Sequence, residues 1–191
     1  MRFTKPVLVS LSLSILTACG GSKTGTFGTF SSFEDNLVYG NEVLTTIATI
    51  PYTFPSTLPI SGSATHTGIV VASLNETTAV AGEVILETDF SNDEITGAMG
   101  NFFGEDETLY DGTLDIENGG IDRNANIATH YTYIADINGT LTNGGDSHVV
   151  DGILDGDFTG SSYEYIEGVV SGTVTTNGNV EAFNGLFLGE R

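Results

Sequence analysis

Cysteine occurs once in the 191 residues, tryptophan not at all, proline four times, and lysine plus arginine only five times. Each scarcity excludes something. A single cysteine leaves no partner for an intramolecular disulfide, so the stability of the fold rests on packing. The five basic residues stand against 25 acidic ones, a formal charge of −20. Two of the five, Arg2 and Lys5, lie in the first eighteen residues, where there is no acid, so beyond that segment only Lys23, Arg123 and Arg191 are positive. Such a surface repels phosphate backbones and gains nothing from anionic headgroups, which excludes nucleic acid as a partner. The acids instead keep a β-rich protein soluble and monomeric. What the chain has in quantity is glycine, 25 residues, together with Thr, Val, Ile, Phe and Tyr. That mixture favours strands and tight turns over helices.

The first twenty residues, "MRFTKPVLVSLSLSILTACG", read as an address. Arg2 and Lys5 form a basic n-region, and the apolar run from Val7 to Leu16 has signal-peptide length, roughly half of the ~20 residues that span a bilayer. Leu16-Thr17-Ala18-Cys19-Gly20 resembles the bacterial lipobox. The resemblance implies a signal peptide over 1–18, cleavage before Cys19, and acylation of that residue, which anchors the chain in lipid; two or three acyl chains hold a protein firmly where one does not. Gly20 is not the aspartate that retains lipoproteins in the inner membrane, so the expected address is the outer membrane. Residues 19–56 then read as a lipidated tether. "GGSKTGTFGTFSSFEDN" is rich in Gly, Ser and Thr and has linker composition. Phe27, Phe30 and Phe33 recur every three residues, but Gly28 and the neighbouring threonines argue against a helical turn. From Val38 to Phe54 the β-branched composition, closed by Pro51 and Pro55, predicts a short strand or extended lead-in.

From Ile60 onward apolar alternation is broken by turn residues about every ten to fifteen positions, the pattern of a sandwich or barrel. Eight strands are predicted, over 61–74, 83–90, 94–102, 109–116, 127–141, 148–158, 168–175 and 180–188. The turns "SND" at 91–93, "NGGDS" at 143–147 and "TNGN" at 176–179 make sequence neighbours antiparallel. Asn138-Gly139 is also a hairpin signal, but a turn there leaves too short a strand, so it is placed inside the fifth.

On several strands glycines share one face with bulky residues. The stretch "VDGILDGDFTG" puts Val150, Gly152, Leu154, Gly156 and Phe158 on one side. The same holds for Ala64, His66, Gly68 and Val70, for Ile95, Gly97 and Met99, and for Phe183, Gly185 and Phe187. A narrow eight-stranded barrel has room inside only for side chains, so large residues need small ones facing them. The expected fold is therefore all-β, a soluble, antiparallel, up-and-down eight-stranded barrel over 57–191. A β-sandwich also gives the alternation but needs fewer glycines inside. A transmembrane barrel needs an apolar outer band, whereas the outward parity here carries Glu83, Glu87 and Asp89 on one strand and Asp151, Asp155 and Asp157 on another.

"LPISGSATHTG" (58–68), "GEVILETDFSNDEITGAMGN" (82–101), "VDGILDGDFTG" (150–160) and "GVVSGTV" through "FNGLFLGER" (168–191) resemble the eight-stranded barrel lobe of transferrin-binding protein B and related single-barrel lipoproteins, including an ending of the type G-x-F-x-x-x-R. The resemblance covers residues 57–191. It implies an outer-surface lipoprotein, exported by a surface lipoprotein assembly modulator, that works beside a TonB-dependent receptor to capture an iron-carrying or haem-carrying protein. The chain departs from that family in having one lobe, almost no handle domain, and none of the long loops that touch transferrin.

No chemistry-bearing constellation stands out. His66, His130 and His148 are placed on separate strands without metal spacing, His66 on the glycine face and the other two off it. Asp151, Asp155 and Asp157 form an acidic wall without an Asp-x-Asp-x-Asp-Gly calcium loop. Arg123, in "NGGIDRN", has no GxSxG, HExxH or phosphate loop near it. No catalytic, cofactor or metal residue is therefore assigned; the assigned site residue is Cys19, for lipidation. The sequence predicts a non-enzymatic binding module using the loops at one barrel mouth, with a protein or haem-like ligand. The alternative is a structural or interaction lipoprotein of the envelope without a soluble ligand.

Overall fold

The computed structural model describes residues 26–75 and 77–191. The signal peptide over 1–18, Cys19 and the first part of the tether lie outside the described residues. Eight strands follow one another: β1 Ser63–Ser73, β2 Ala79–Asp89, β3 Glu94–Gly104, β4 Leu109–Ile121, β5 Tyr133–Asn143, β6 Asp146–Thr159, β7 Tyr165–Thr176 and β8 Asn179–Glu190. Each pairs antiparallel with the next, and β8 returns to β1 to close the barrel. Closure pairs every strand on both sides over most of its length. The predicted turns are where the strands reverse. Asn177 and Gly178 both have positive φ, 52° and 85°, the two-residue geometry whose twist matches the strands it joins. Gly139 lies inside β5, opposite Leu114 and Val150. The fifth strand starts six residues later than expected, at Tyr133, because 122–132 folds on itself. Asp122 Oδ1 accepts from Asn124 N, and Asn126 Oδ1 from Ala128 N; such side-chain-capped turns compete with strand pairing.

The interior is filled by side chains. Val70, Leu86, Met99, Leu114, Leu154 and Phe183 have at most 1% of their surface exposed. Two glycines behave as the taper argument requires: a methyl group on Gly82 would come within 2.5 Å of the Phe102 ring, and one on Gly156 within 2.6 Å of the Tyr133 ring and 2.7 Å of Phe187. Gly97 works differently, because a methyl there would strike the carbonyl oxygen of Ile85 on the neighbouring strand. Gly152, Gly168, Gly172 and Gly185 also face carbonyls of adjacent strands. Their smallness lets the wall coil tightly, backbone against backbone, as closing a small barrel demands. The glycine pattern thus marks the barrel for two reasons, of which only one is making room for large residues.

The segment 33–47 is a helix, α1 (Phe33–Ile47), and not tether or extended lead-in. Ser32 caps it, its Oγ accepting from Asp35 N at 3.0 Å. Glu34 and Asp35 stand in the first turn, where the helix dipole favours negative charge. Asn36, Gly40, Val43 and Ile47 form its buried face, a 4-3-4 spacing. That face packs on the outside of the barrel against Ile69 and Leu188. The β-branched residues that suggested a strand are tolerated because tertiary burial outweighs their weak helix propensity. Among the described residues no helix is long and apolar enough to cross a membrane.

Two outward acids expected on a solvated wall are in fact buried. Glu83 is covered by residues 27–30, and its Oε1 accepts from Gly28 N, Thr29 N, Phe30 N and Asn101 Nδ2 at 2.7–3.1 Å. Asn101 reaches it from a β-bulge, where the register shifts between Gly100 and Phe102; the extra residue re-aims its side chain outward. Asp157, on β6, is covered by the 122–132 loop. Asp151 and Glu87 remain exposed, and Asp155 and Asp89 half-buried.

Candidate functional site

The barrel has a hairpin end and a loop end, the latter formed by 90–93, 122–132 and 160–164 with the segment entering β1. The loop end is stoppered. Leu58 joins the core cluster there, and Phe90 meets Tyr163 edge-on at 4.9 Å. Arg123 clasps the stopper, Nε donating to Asp93 Oδ1 at 2.7 Å, Nη1 to Leu58 O at 3.0 Å, and Nη2 to Pro59 O and Phe90 O at 2.7 and 3.0 Å. A guanidinium suits this task because its fork presents several fixed donors. His66 lies just beneath, fully buried, with Nε2 donating to Tyr163 O at 2.8 Å while Nδ1 has no partner among the described residues. Burial pushes its pKa down, more than the Tyr163 carbonyl raises it, and the Arg191 charge adds to the lowering. At the hairpin end His148 packs on Tyr110 with ring centroids 5.5 Å apart. His148 therefore faces inward, on the parity of Val150, and not away from the glycine face as expected. A ligand inside this barrel would have to displace packed side chains, which directs attention to the outer wall.

There, beside the loop end, four side chains converge. Strand β6 runs past the start of β5, whose Tyr133 pairs with Gly156, leaving residues 157–160 with a free edge. The chain after α1 takes that edge: Tyr52 bridges to Thr159, and Thr53 N donates to Phe158 O at 2.8 Å. This places Tyr52. The folded 122–132 loop places Tyr131, and the next residue ties down Asp157, whose Oδ1 accepts from Thr132 N and Oγ1 at 2.9 and 2.6 Å. Glu167, paired with Asp157 across β6 and β7, accepts from Thr159 Oγ1 at 3.1 Å.

Tyr52, Tyr131 and Asp157 line two adjoining hollows. One of about 280 Å³ is walled by residues 127–131. The other, of about 200 Å³, adds Leu44, Val169, Leu186 and Glu167. The tyrosines are 44% and 43% exposed, whereas Asp157 is only 6% exposed. Burial raises the Asp157 pKa against the lowering effect of its Thr132 bonds. Tyr52 is raised by burial and then by the charges of Glu167 and Asp157. On the inner side of the same wall Tyr133, its hydroxyl buried without a partner among the described residues, is raised well above its usual value by burial and by the same two acids. Among the described residues the basic ones are Arg123 and Arg191; the first clasps the stopper and the second lies over the Tyr163 ring at 4.6 Å. Neither lines the notch.

Of the residues singled out in the sequence, Asp157 alone enters this notch beside His130, which lies in the 122–132 loop and not on a strand, its Nδ1 2.8 Å from Thr129 Oγ1. Asp151 and Asp155 stay on the wall, apart from it. Tyr52, Tyr131 and Glu167 were not anticipated, since only the fold of the irregular segments brings them to Asp157. Among the described residues no group of three or more His, Cys, Asp or Glu is arranged to hold a metal ion. A larger hollow, about 730 Å³, flanks the hairpin end between Ser73, Asn75 and Thr77 on one side and residues 180–182 on the other, and none of these is aromatic. No family model matches the chain, and no curated protein does.

Proposed function

We propose that this chain is a lipid-anchored binding module of the outer membrane, held through acylated Cys19 and facing the cell surface. It captures a protein ligand on the outside of its barrel in the manner of the transferrin-binding protein B lobes its sequence resembles, with a TonB-dependent receptor as neighbour and an iron- or haem-carrying protein as the ligand class. The observation that carries the reading is the filled and stoppered barrel. A fold that spends its interior on packing leaves recognition to the wall and loops, where such scaffolds place it. The strap at residues 27–30 also fits an anchored module. Phe27 stands eight positions after Cys19, so at about 3.5 Å per residue the anchor keeps the barrel within roughly 30 Å of the lipid.

The test uses cells expressing the full chain. Added protease should remove the barrel from intact cells, Cys19→Ala should shift the chain out of the membrane fraction, and the cells should retain an iron- or haem-carrying protein from host fluid that cells lacking the chain do not. A barrel accessible to protease that retains nothing would replace this reading with a structural envelope lipoprotein.

A further inference from the structure

The notch formed by Tyr52, Tyr131, Asp157 and Glu167 has the chemistry of a seat for one particular kind of group. Two tyrosines stand half exposed around it, and two carboxylates, Asp157 and Glu167, line one of its hollows. Asp157 is nine-tenths buried yet only half satisfied: Oδ1 takes both Thr132 donors, and Oδ2 meets no donor among the described residues while the side chain lines both hollows. That oxygen has no protein donor among the described residues and belongs to a side chain lining both hollows, where a donor from outside can reach it. The neighbouring hollow is walled by Leu44, Val169 and Leu186, which suit a stem of methylene groups.

We infer that this notch binds a primary alkylammonium group, as at the end of a lysine side chain, with the ammonium between the tyrosine rings and the two carboxylates and the stem along the apolar wall. A ring face attracts a cation, most strongly where water is excluded, and a lysine stem covers apolar surface while its head stays polar. A hard metal ion is a poorer fit, since it needs six or more oxygens and the notch offers two carboxylates, each already bonded to a threonine. A phosphate or carboxylate ligand is repelled by both acids. This inference deepens the binding-module reading, on which its biological meaning rests, by naming the group that a protein partner presents.

The experiment titrates the ¹⁵N-labelled full chain, in non-ionic detergent, with N-acetyl-lysinamide at constant ionic strength and follows backbone amide shifts. N-acetyl-norleucinamide, which keeps the stem and lacks the charge, is the control. Saturable shifts are expected at Tyr52, Thr129 to Thr132, Asp157 and Glu167 to Val169 with the lysine probe only. Tyr52→Leu and Glu167→Gln should each weaken it about fivefold to tenfold. Shifts spread over the exposed acids Glu87, Asp111 and Asp151, equal binding of the uncharged probe, or unchanged affinity in both variants would overturn the inference. The cell-retention assay separates the two readings. Lysine binding at the notch without any retained protein sinks the module and spares the seat, whereas a protein retained equally by Tyr52→Leu and Glu167→Gln cells sinks the seat as the partner's contact and spares the module.

Discussion

Substituting alanine for glycine at two wall positions separates the two reasons for the glycines. At Gly156 the added methyl meets side chains, Tyr133 at 2.6 Å and Phe187 at 2.7 Å, about an ångström inside normal carbon contact. Overpacking of this kind costs about 1–3 kcal/mol, which in a domain of this size lowers Tm by about 2–4 °C per kcal/mol. Tyr133→Leu alone leaves space behind and costs a similar ~1–3 kcal/mol. Together the two changes repair one another, so the double variant should be more stable than the sum of the singles predicts by ~1 kcal/mol or more. At Gly97 the methyl meets the Ile85 carbonyl and the Leu86 backbone, with no side chain to shorten. Gly97→Ala should cost more than ~3 kcal/mol, beyond the usual overpacking range, and Tyr133→Leu should not rescue it. Urea unfolding with linear extrapolation measures all six proteins, wild type and both double variants included. Additive behaviour of Gly156→Ala with Tyr133→Leu, or a Gly97→Ala cost under ~1 kcal/mol, would refute the packing account.

Three further outcomes follow from single contacts. Glu83→Ala strands three backbone donors and the Asn101 amide; it should cost about 2–3 kcal/mol and speed amide exchange at residues 28–30, and unchanged protection there would show that the strap does not depend on it. Arg123→Lys keeps the charge near Asp93 but loses the fork that holds Leu58, Pro59 and Phe90 together, which should cost ~2 kcal/mol; a loss below ~0.3 kcal/mol would remove the clasp from the account. His66 is neutral in the fold with its pKa lowered from 6.5, so the unfolded chain takes up the proton first. Its contribution is whole above about pH 6.5 and is lost as pH falls below that value. Asp155 and Asp157, raised by burial, act in the opposite sense at lower pH. The difference in stability between wild type and His66→Leu should therefore shift against wild type between pH 7 and 5, and a pH-independent difference would show that His66 does not titrate on unfolding.

The eight strands and their antiparallel order were legible because turn residues and period-two alternation are local signals. Gly139 kept its place in β5 by the same reasoning, since a turn there would have left Thr140 and Leu141 without a strand. Helix α1 was less visible. Its cap, Ser32, and its buried face at 36, 40, 43 and 47 were present in the sequence, but its Val, Thr and Ile content argues for a strand unless the wall it docks on is known. Parity also failed where the register changes: past the bulge at Asn101, Phe102 turns inward to be fully buried, which counting by twos from Ile95 does not give. The notch was least visible, because its members come from the stretch after a helix, a turn-rich loop and two strands. No spacing in the sequence links Tyr52 to Asp157.

Glu83 and Asp157 show why the irregular segments, and not the barrel, decide where a site forms. Both are acids on outward parity, and both lose their water to a segment laid across the wall. Over Glu83 the covering chain turns three successive N–H groups onto one oxygen, and a bulge adds a fourth donor; a carboxylate so supplied is a fastener. Over Asp157 the covering loop brings one residue's two donors to one oxygen, and its Tyr131 shares the hollows with Tyr52 from the segment after α1. Burial disfavours the ionised form more than the two Thr132 bonds favour it, which is the sense of its raised pKa. An external cation with donors of its own supplies what the loop withholds. The two acids are alike in sequence context and opposite in use because the number of donors the covering segment brings differs, a quantity set by loop conformation.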